Sequence, residues 1–301
     1  MRISAFKNDR ARQRFDAAYE RTLAQLWPGP RTAIDLPTSF GTTRVYRTGP
    51  RPGAPDGTHD GAPDGRHAPV VLLPGSGGNA LMWHRYIDAL ARHRPVVAVD
   101  TVGEPGASVQ SAPIADGRDG AAWLEEVLTG LDATAAHLVG CSYGGWLALR
   151  HRLHHPGRTA SLTLLDPAGF AALGPRFYTW LIAGGLAAAA PRPLRPRLAR
   201  LVRNGTVLEG ELTGLMRASL GFRRVLPVPP VFSDEELRRL DGPALFLLGE
   251  RSALHDSRAV AERIGRLLPS ARVEVVPGAG HALTSDRPEL VTERVLGAVG
   301  A

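Results

Sequence analysis

Gly140-Cys141-Ser142-Tyr143-Gly144 is the stretch on which the reading of this chain turns. It has the form G-x-S-x-G, a pattern short enough to arise by chance in a sequence with 34 glycines. Its flanks give it meaning. The apolar run His137-Leu138-Val139 precedes it and Trp146-Leu147-Ala148-Leu149-Arg150 follows, so the spacing predicts a strand, a tight turn and a helix. A serine at the apex of such a turn has a strained backbone and an Oγ raised above the sheet, where it can attack. Glycines flank it because the turn crowds backbone against backbone, and Gly145 gives the helix room to pack close.

Two further loops follow strand-like runs. Val70-Val71-Leu72-Leu73 leads into Pro74-Gly75-Ser76-Gly77-Gly78-Asn79. A glycine-rich loop there can aim a backbone N–H at the serine, so Ser76 and Tyr143 are the expected oxyanion-hole donors through their main-chain nitrogens. The loop lacks the Gly-Lys-[Ser/Thr] of a phosphate cradle. Val273-Glu274-Val275-Val276 leads into Pro277-Gly278-Ala279-Gly280-His281. A histidine on that turn can reach Ser142, take its proton and return it to a leaving group.

These runs belong to a longer rhythm. Apolar stretches at 70–73, 95–99, 137–139, 162–165, 244–248 and 273–276 alternate with helical patterns near 79–92, 119–131, 144–154, 257–268 and 287–299. Continuous apolar runs separated by helices are the pattern of a parallel sheet covered on both faces, a doubly wound α/β fold. Most run centres lie about 25 to 41 residues apart, whereas the interval from 163 to 246 is about 83, which marks an insertion. Residues 171–232 are helical, arginine-rich and proline-punctuated, and are expected to form a cap at the carboxyl ends of the strands. The core is then 1–170 and 233–301. Within it, residues 3–27 predict an amphipathic helix carrying Phe15, Tyr19, Leu23 and Leu26, and residues 34–48 predict a hairpin around Phe40-Gly41. The low-complexity stretch 49–69, in which Ala54-Pro55-Asp56-Gly57 recurs as Ala62-Pro63-Asp64-Gly65, reads as a surface loop, and its His59 and His67 as solvated.

Composition narrows the function. At 301 residues, 44% hydrophobic and 22% charged, the chain can bury a large core. No apolar run is long enough for a membrane span, the N-terminus lacks the apolar stretch of a secretory signal, and the cytoplasm is the expected compartment. The lone Cys141 reads as a small buried hydrophobe. The net charge of +7 comes from arginine. The arginines read as scattered rather than interleaved with aromatics, which fits GC-rich coding and argues against a nucleic-acid partner. Those at 192, 195, 197, 200 and 203 read first as a solvated cap surface, and second as an attraction for an anionic or membrane-associated substrate.

Taken together, these residues resemble the α/β-hydrolase superfamily, and its bacterial capped serine esterase-like members in particular. The likeness covers most of 36–299 and includes Asp100-Thr101-Val102-Gly103-Glu104, Leu165-Asp166-Pro167-Ala168 and Val231-Phe232-Ser233-Asp234-Glu235-Glu236. It implies a mostly parallel eight-stranded sheet with helices on both faces, a helical cap after strand 6, a nucleophile elbow and a Ser-His-acid triad. The acid departs from the pattern, because the turn that usually carries it reads Gly249-Glu250-Arg251-Ser252. Asp166, at the other place where the superfamily puts its acid, is the preferred candidate. Glu250 sits two residues early, and Asp256 precedes a helix and reads as its N-cap. Asp100 and Glu104 read as turn-capping or solvated residues.

The resulting expectation is a serine hydrolase with Ser142, His281 and Asp166 as its catalytic residues, cleaving an ester or thioester of a small, largely apolar substrate. The substrate is expected to touch Gly75, Met82, Trp83 and Tyr178. An acyltransferase or cyclase, or a catalytically weak binding protein, would use the same fold. Neither metal nor organic cofactor is implied, and a homodimer is compatible with the sequence.

Overall fold

Eight strands with mostly apolar side chains form the central sheet of the computed structural model, which describes residues 2–49 and 68–300. They are β1 (Thr32–Thr38), β2 (Gly41–Thr48), β3 (Val70–Leu73), β4 (Val96–Val99), β5 (Ala136–Cys141), β6 (Thr159–Leu165), β7 (Ala244–Gly249) and β8 (Arg272–Val276). Their spatial order is β8-β7-β6-β5-β3-β4-β2-β1, with β2 antiparallel to both β1 and β4 and the neighbours from β4 to β8 parallel. The two-residue segment Val109–Gln110 pairs with the start of β2. Every residue of β3, β4 and β5 is buried, which is why these strands read as continuous apolar runs rather than alternating ones.

Helices cover both faces. α1 (Asp9–Leu26), α2 (His84–Ala91), α3 (Gly117–Gly130) and α4 (Tyr143–His154) precede β6. α5 (Pro175–Ala189), α6 (Arg195–Val202) and α7 (Gly210–Ala218) lie between β6 and β7, followed by the short α8 (Asp234–Arg238). α9 (Ser257–Leu267), α10 (Leu283–Asp286) and α11 (Pro288–Ala298) complete the chain.

The N-terminus departs from the sequence expectation. The helix begins at Asp9, because the Asn8 side chain accepts from the Ala11 N–H and stops it there. Ala5–Phe6 instead pairs with Phe222–Arg223 at the end of the inserted segment, and α1 packs against α7. The N-terminal helix therefore bridges the core and the insertion. The segment with the repeated Ala-Pro-Asp-Gly, including His59 and His67, lies outside the described residues.

Two buried histidines give the fold a pH dependence. His137 on β5 meets the Ser161 hydroxyl at 2.8 Å, and His151 on α4 meets Glu125 at 3.1 Å. Burial pulls both imidazoles down to about 4. They stay neutral in the fold but take up protons when it opens. Their contribution is complete above about pH 6.5 and is lost as pH falls towards 4. His137→Asn and His151→Gln are each expected to flatten the acid limb of stability by up to about 1.4 kcal/mol per pH unit. Urea unfolding between pH 7 and 4 measures this directly, and an unchanged slope would refute it.

Candidate active site

The parallel strands end on one edge of the sheet, and the chemistry-bearing loops leave from those ends. Ser142 follows β5, with backbone angles of φ 51° and ψ −113°, a conformation unfavourable to any residue with a Cβ. The turn is tight enough to exclude side chains on both sides. A Cβ on Gly140 would lie 2.5 Å from the Gly144 backbone, and one on Gly144 would lie 2.2 Å from the Leu73 carbonyl oxygen. The Ser142 N–H donates to the Leu165 carbonyl at 3.0 Å, and its carbonyl accepts from Ala168, so the turn is tied to the loop after β6.

Asp166 opens that loop. It too has positive φ, 46°, and it is fully buried. Its Oδ2 lies 2.6 Å from His281 Nδ1 and accepts from the Ser252 hydroxyl at 2.5 Å. Its Oδ1 accepts from the Gly249 N–H at 3.0 Å and faces His255 Nε2 at 3.5 Å. Burial pushes this carboxyl up. The His281 hydrogen bond, the positive charge that both imidazoles can carry and the Ser252 hydroxyl outweigh burial, so its pKa falls below the usual carboxylate value. Asp166 is therefore held as a carboxylate.

On its other side, His281 Nε2 lies 3.1 Å from Ser142 Oγ. Serine, imidazole and carboxylate thus form one continuous chain of hydrogen bonds. The His281 ring is packed edge to face against Phe177, at 5.8 Å, and Trp180, at 5.3 Å, both from α5. Its loop is held from below by Asp286, whose Oδ2 accepts from the Gly280 N–H.

The other acid candidates lie elsewhere. Asp256 caps α9, accepting from the Arg258 and Ala259 N–H groups. Glu250 is bound to the Gly278 N–H and to exposed arginines. Ser252, the residue that made the acid hard to read, lies against Asp166 and serves it as a donor. The places of Ser252 and His255 beside the acid are not legible in the sequence. The signal for Ser252 was its position in the Gly-Glu-x-x turn, which puts whatever stands there beside the histidine.

Asp100 and Glu104 cap turns, as one of their two expected readings has it, but both are buried rather than solvated. Asp100 accepts from the Ala80 and Ala107 N–H groups and the Tyr19 hydroxyl. Glu104 accepts from the Gly77 N–H at 3.0 Å and pairs with Arg224 at 2.7 Å. Burial pushes both carboxyls up, partly offset by these donors. Their effect is to fix the glycine-rich loop beside Ser142. That loop carries Ser76, and the first turn of α4 carries Tyr143. Among the described residues, no acceptor takes up the backbone N–H of either.

A cavity of about 330 Å³ opens above Ser142, lined by Phe15, Gly75, Met82, Phe177, Trp180 and Met216 among others. Two expected contacts are not in its wall. Trp83 ends a 3₁₀ turn that faces Met82 towards the cavity and its own ring into the core, against Tyr86. Tyr178 is displaced by about 100° around α5 from Phe177 and is exposed. Its neighbours at helical spacing, 177, 180, 181, 184 and 188, face inward instead. The wall is predominantly apolar, and Phe15 joins it because α1 packs on α7.

Known proteins resemble this chain in sequence and fold. Residues 70–294 match the profile described as the alpha/beta hydrolase family. The chain is 30% identical over 294 residues to carboxylesterase YbfK of Bacillus subtilis, covering 94% of this chain and 92% of that protein. The crystal structure of that carboxylesterase, CesB (YbfK), superposes with a TM-score of 0.76 at 27% identity, covering 97% of this chain and 99% of the other. The naproxen esterase of Bacillus subtilis (carboxylesterase NP) superposes with a TM-score of 0.79 at 26% identity, with the same coverage.

The geometry separates the acid candidates experimentally. Asp166→Asn is expected to lower kcat on a chromogenic ester by about 10³- to 10⁴-fold. Asp256→Asn should leave kcat within about twofold and cost at most about 1 kcal/mol of stability through a weakened helix cap. The reverse pattern would remove Asp166 from the site.

Proposed function

We propose that this chain, which belongs to the alpha/beta hydrolase family, forms its acyl-enzyme on Ser142 with His281 as base and Asp166 as the group that orients the base. The protein is an ester-cleaving serine hydrolase. The observation that carries the residue assignment is the unbroken hydrogen-bonded line from Ser142 Oγ through both nitrogens of His281 to a buried carboxylate.

The steps follow from that line. His281 Nε2 takes the Ser142 hydroxyl proton as Oγ bonds to the substrate carbonyl carbon. The resulting oxyanion is met by the backbone N–H groups of Ser76 and Tyr143. Asp166 holds the Nδ1 proton in place and stabilises the imidazolium, supported by Ser252 and the Gly249 N–H. His281 then protonates the departing alcohol or thiol. Water, deprotonated by the same nitrogen, attacks the acyl carbon, and as the bond to Oγ breaks the imidazolium returns its proton to Ser142 and the acid is released.

An apolar wall and a volume near 330 Å³ support a small, largely apolar ester or thioester as substrate, held against Gly75 and Met82. Residues 171–232 act as a cap over a core formed by 1–170 and 233–301. Support comes from α5, which supplies both the aromatic packing of His281 and one side of the cavity. The single, buried Cys141 needs no oxidising compartment, which supports a cytoplasmic location.

A fluorophosphonate probe tests the assignment. Its adduct is expected on Ser142 alone and should vanish in His281→Ala, while Ser142→Ala should lose at least about 10⁴-fold in turnover of short p-nitrophenyl esters. A probe adduct mapping to another residue, or a Ser142→Ala variant that keeps its turnover, would overturn it.

A further inference from the structure

The positive charge of this protein is not spread over the fold. Residues 171–232 hold nine arginines and two glutamates, a net +7, while the remaining 239 residues hold 27 cationic and 27 anionic side chains. The entire excess therefore sits in the inserted segment. The sequence reading of scattered arginines is corrected by this distribution, which even coding bias does not produce. Arg192, Arg195, Arg197, Arg200, Arg203 and Arg217 form no ion pair among the described residues, whereas many core arginines, such as Arg150, Arg263 and Arg294, are paired with carboxylates.

The same segment exposes apolar side chains. Residues 177–191 carry no charge, and beyond Arg176 the only polar side chains of α5 are Tyr178 and Thr179 and the indole N–H of Trp180, so α5 is apolar on nearly every side. A helix of that kind is normally buried on all sides. Here the stripe Tyr178, Ile182 and Leu186 is 49%, 63% and 68% exposed, and on α6 Leu201 is 77% exposed. The opposite side of α5 lines the cavity, and Leu181 and Met216 both line the cavity and reach the surface. The apolar surface is thus continuous with the mouth of the site.

We propose that the outer face of α5 and α6 docks on an anionic phospholipid surface, with Ile182 and Leu186 entering the headgroup boundary and the unpaired arginines meeting lipid phosphates. Charge selects the occupant. A second copy of this chain would bring +7 against +7, whereas an anionic bilayer offers the complementary sign along a plane. Length selects the mode. The 15 residues of α5 span about 22 Å, short of the roughly 30 Å hydrocarbon core, so the helix lies on the membrane rather than crossing it. Docked this way, the cavity mouth faces the layer in which apolar esters dissolve.

Sedimentation of the full chain with vesicles tests this. Binding to vesicles of phosphatidylcholine with one-third phosphatidylglycerol is expected to exceed binding to pure phosphatidylcholine by at least about tenfold, and to weaken as salt rises. Ile182→Glu/Leu186→Glu and Arg197→Glu/Arg200→Glu should each lower it by about tenfold, with hydrolysis of a soluble p-nitrophenyl ester unchanged. Because that hydrolysis is read separately, loss of vesicle binding and loss of esterase activity are distinguishable. Equal binding to both vesicle types, no binding to either, or a dimer in analytical ultracentrifugation that Ile182→Glu/Leu186→Glu dissociates would overturn the proposal.

Discussion

A carboxylate buried beyond the reach of water has to be met on all sides, and the arrangement around Asp166 shows how this fold meets one. The Gly249 N–H, the Ser252 hydroxyl and His281 Nδ1 converge on its two oxygens, and His255 faces it from behind. These groups come from β7, the turn that follows it and the loop after β8, while Asp166 itself ends β6. The carboxylate therefore fixes the relative positions of three strand ends. It is the acceptor that His281 Nδ1 meets, and so the group that turns the other ring nitrogen towards Ser142. The aromatic side chains of α5 limit the ring from above, and the carboxylate sets its orientation from below.

Backbone strain is the other half of the arrangement. Ser142 and Asp166 both sit at positive φ, a conformation that side-chain-bearing residues rarely adopt. Both are held by hydrogen bonds to the neighbouring strand, from Ser142 to Leu165 and from Asp166 to Leu247. Sheet pairing thus compensates for the strain at the two points where a side chain must be lifted off the sheet.

Legibility in the sequence followed locality. Ser142 and His281 stand in short glycine-rich turns after apolar runs, so a few neighbours single them out as the pair that the fold brings within 3.1 Å. The strands and most helix limits were readable for the same reason, because burial on both faces produces unbroken apolar runs. What was hidden depended on long-range placement. Ser252 looks like a lost acid until β7 is laid beside β6. Asp100 and Glu104 look like surface residues until the amides of residues 77, 80 and 107 fold round them. Trp83 and Phe15 exchange their expected roles because helix phase and the docking of α1 on α7 decide which ring faces the cavity. Ala5–Phe6, expected within the first helix, instead finds a pairing partner more than 200 residues away.

Asp286 divides its two oxygens between parts of the molecule that have separate tasks. One holds the Gly280 N–H, immediately before His281, and the other accepts from Gly205 within the inserted segment at 2.8 Å. Arg203 stands equally close, since a Cβ on Gly280 would lie 2.7 Å from its carbonyl oxygen. A displacement of the insertion at Gly205 would therefore be carried through Asp286 to the loop that holds His281. The result is a tether, in which one carboxylate joins the segment that walls the cavity to the loop that seats the imidazole.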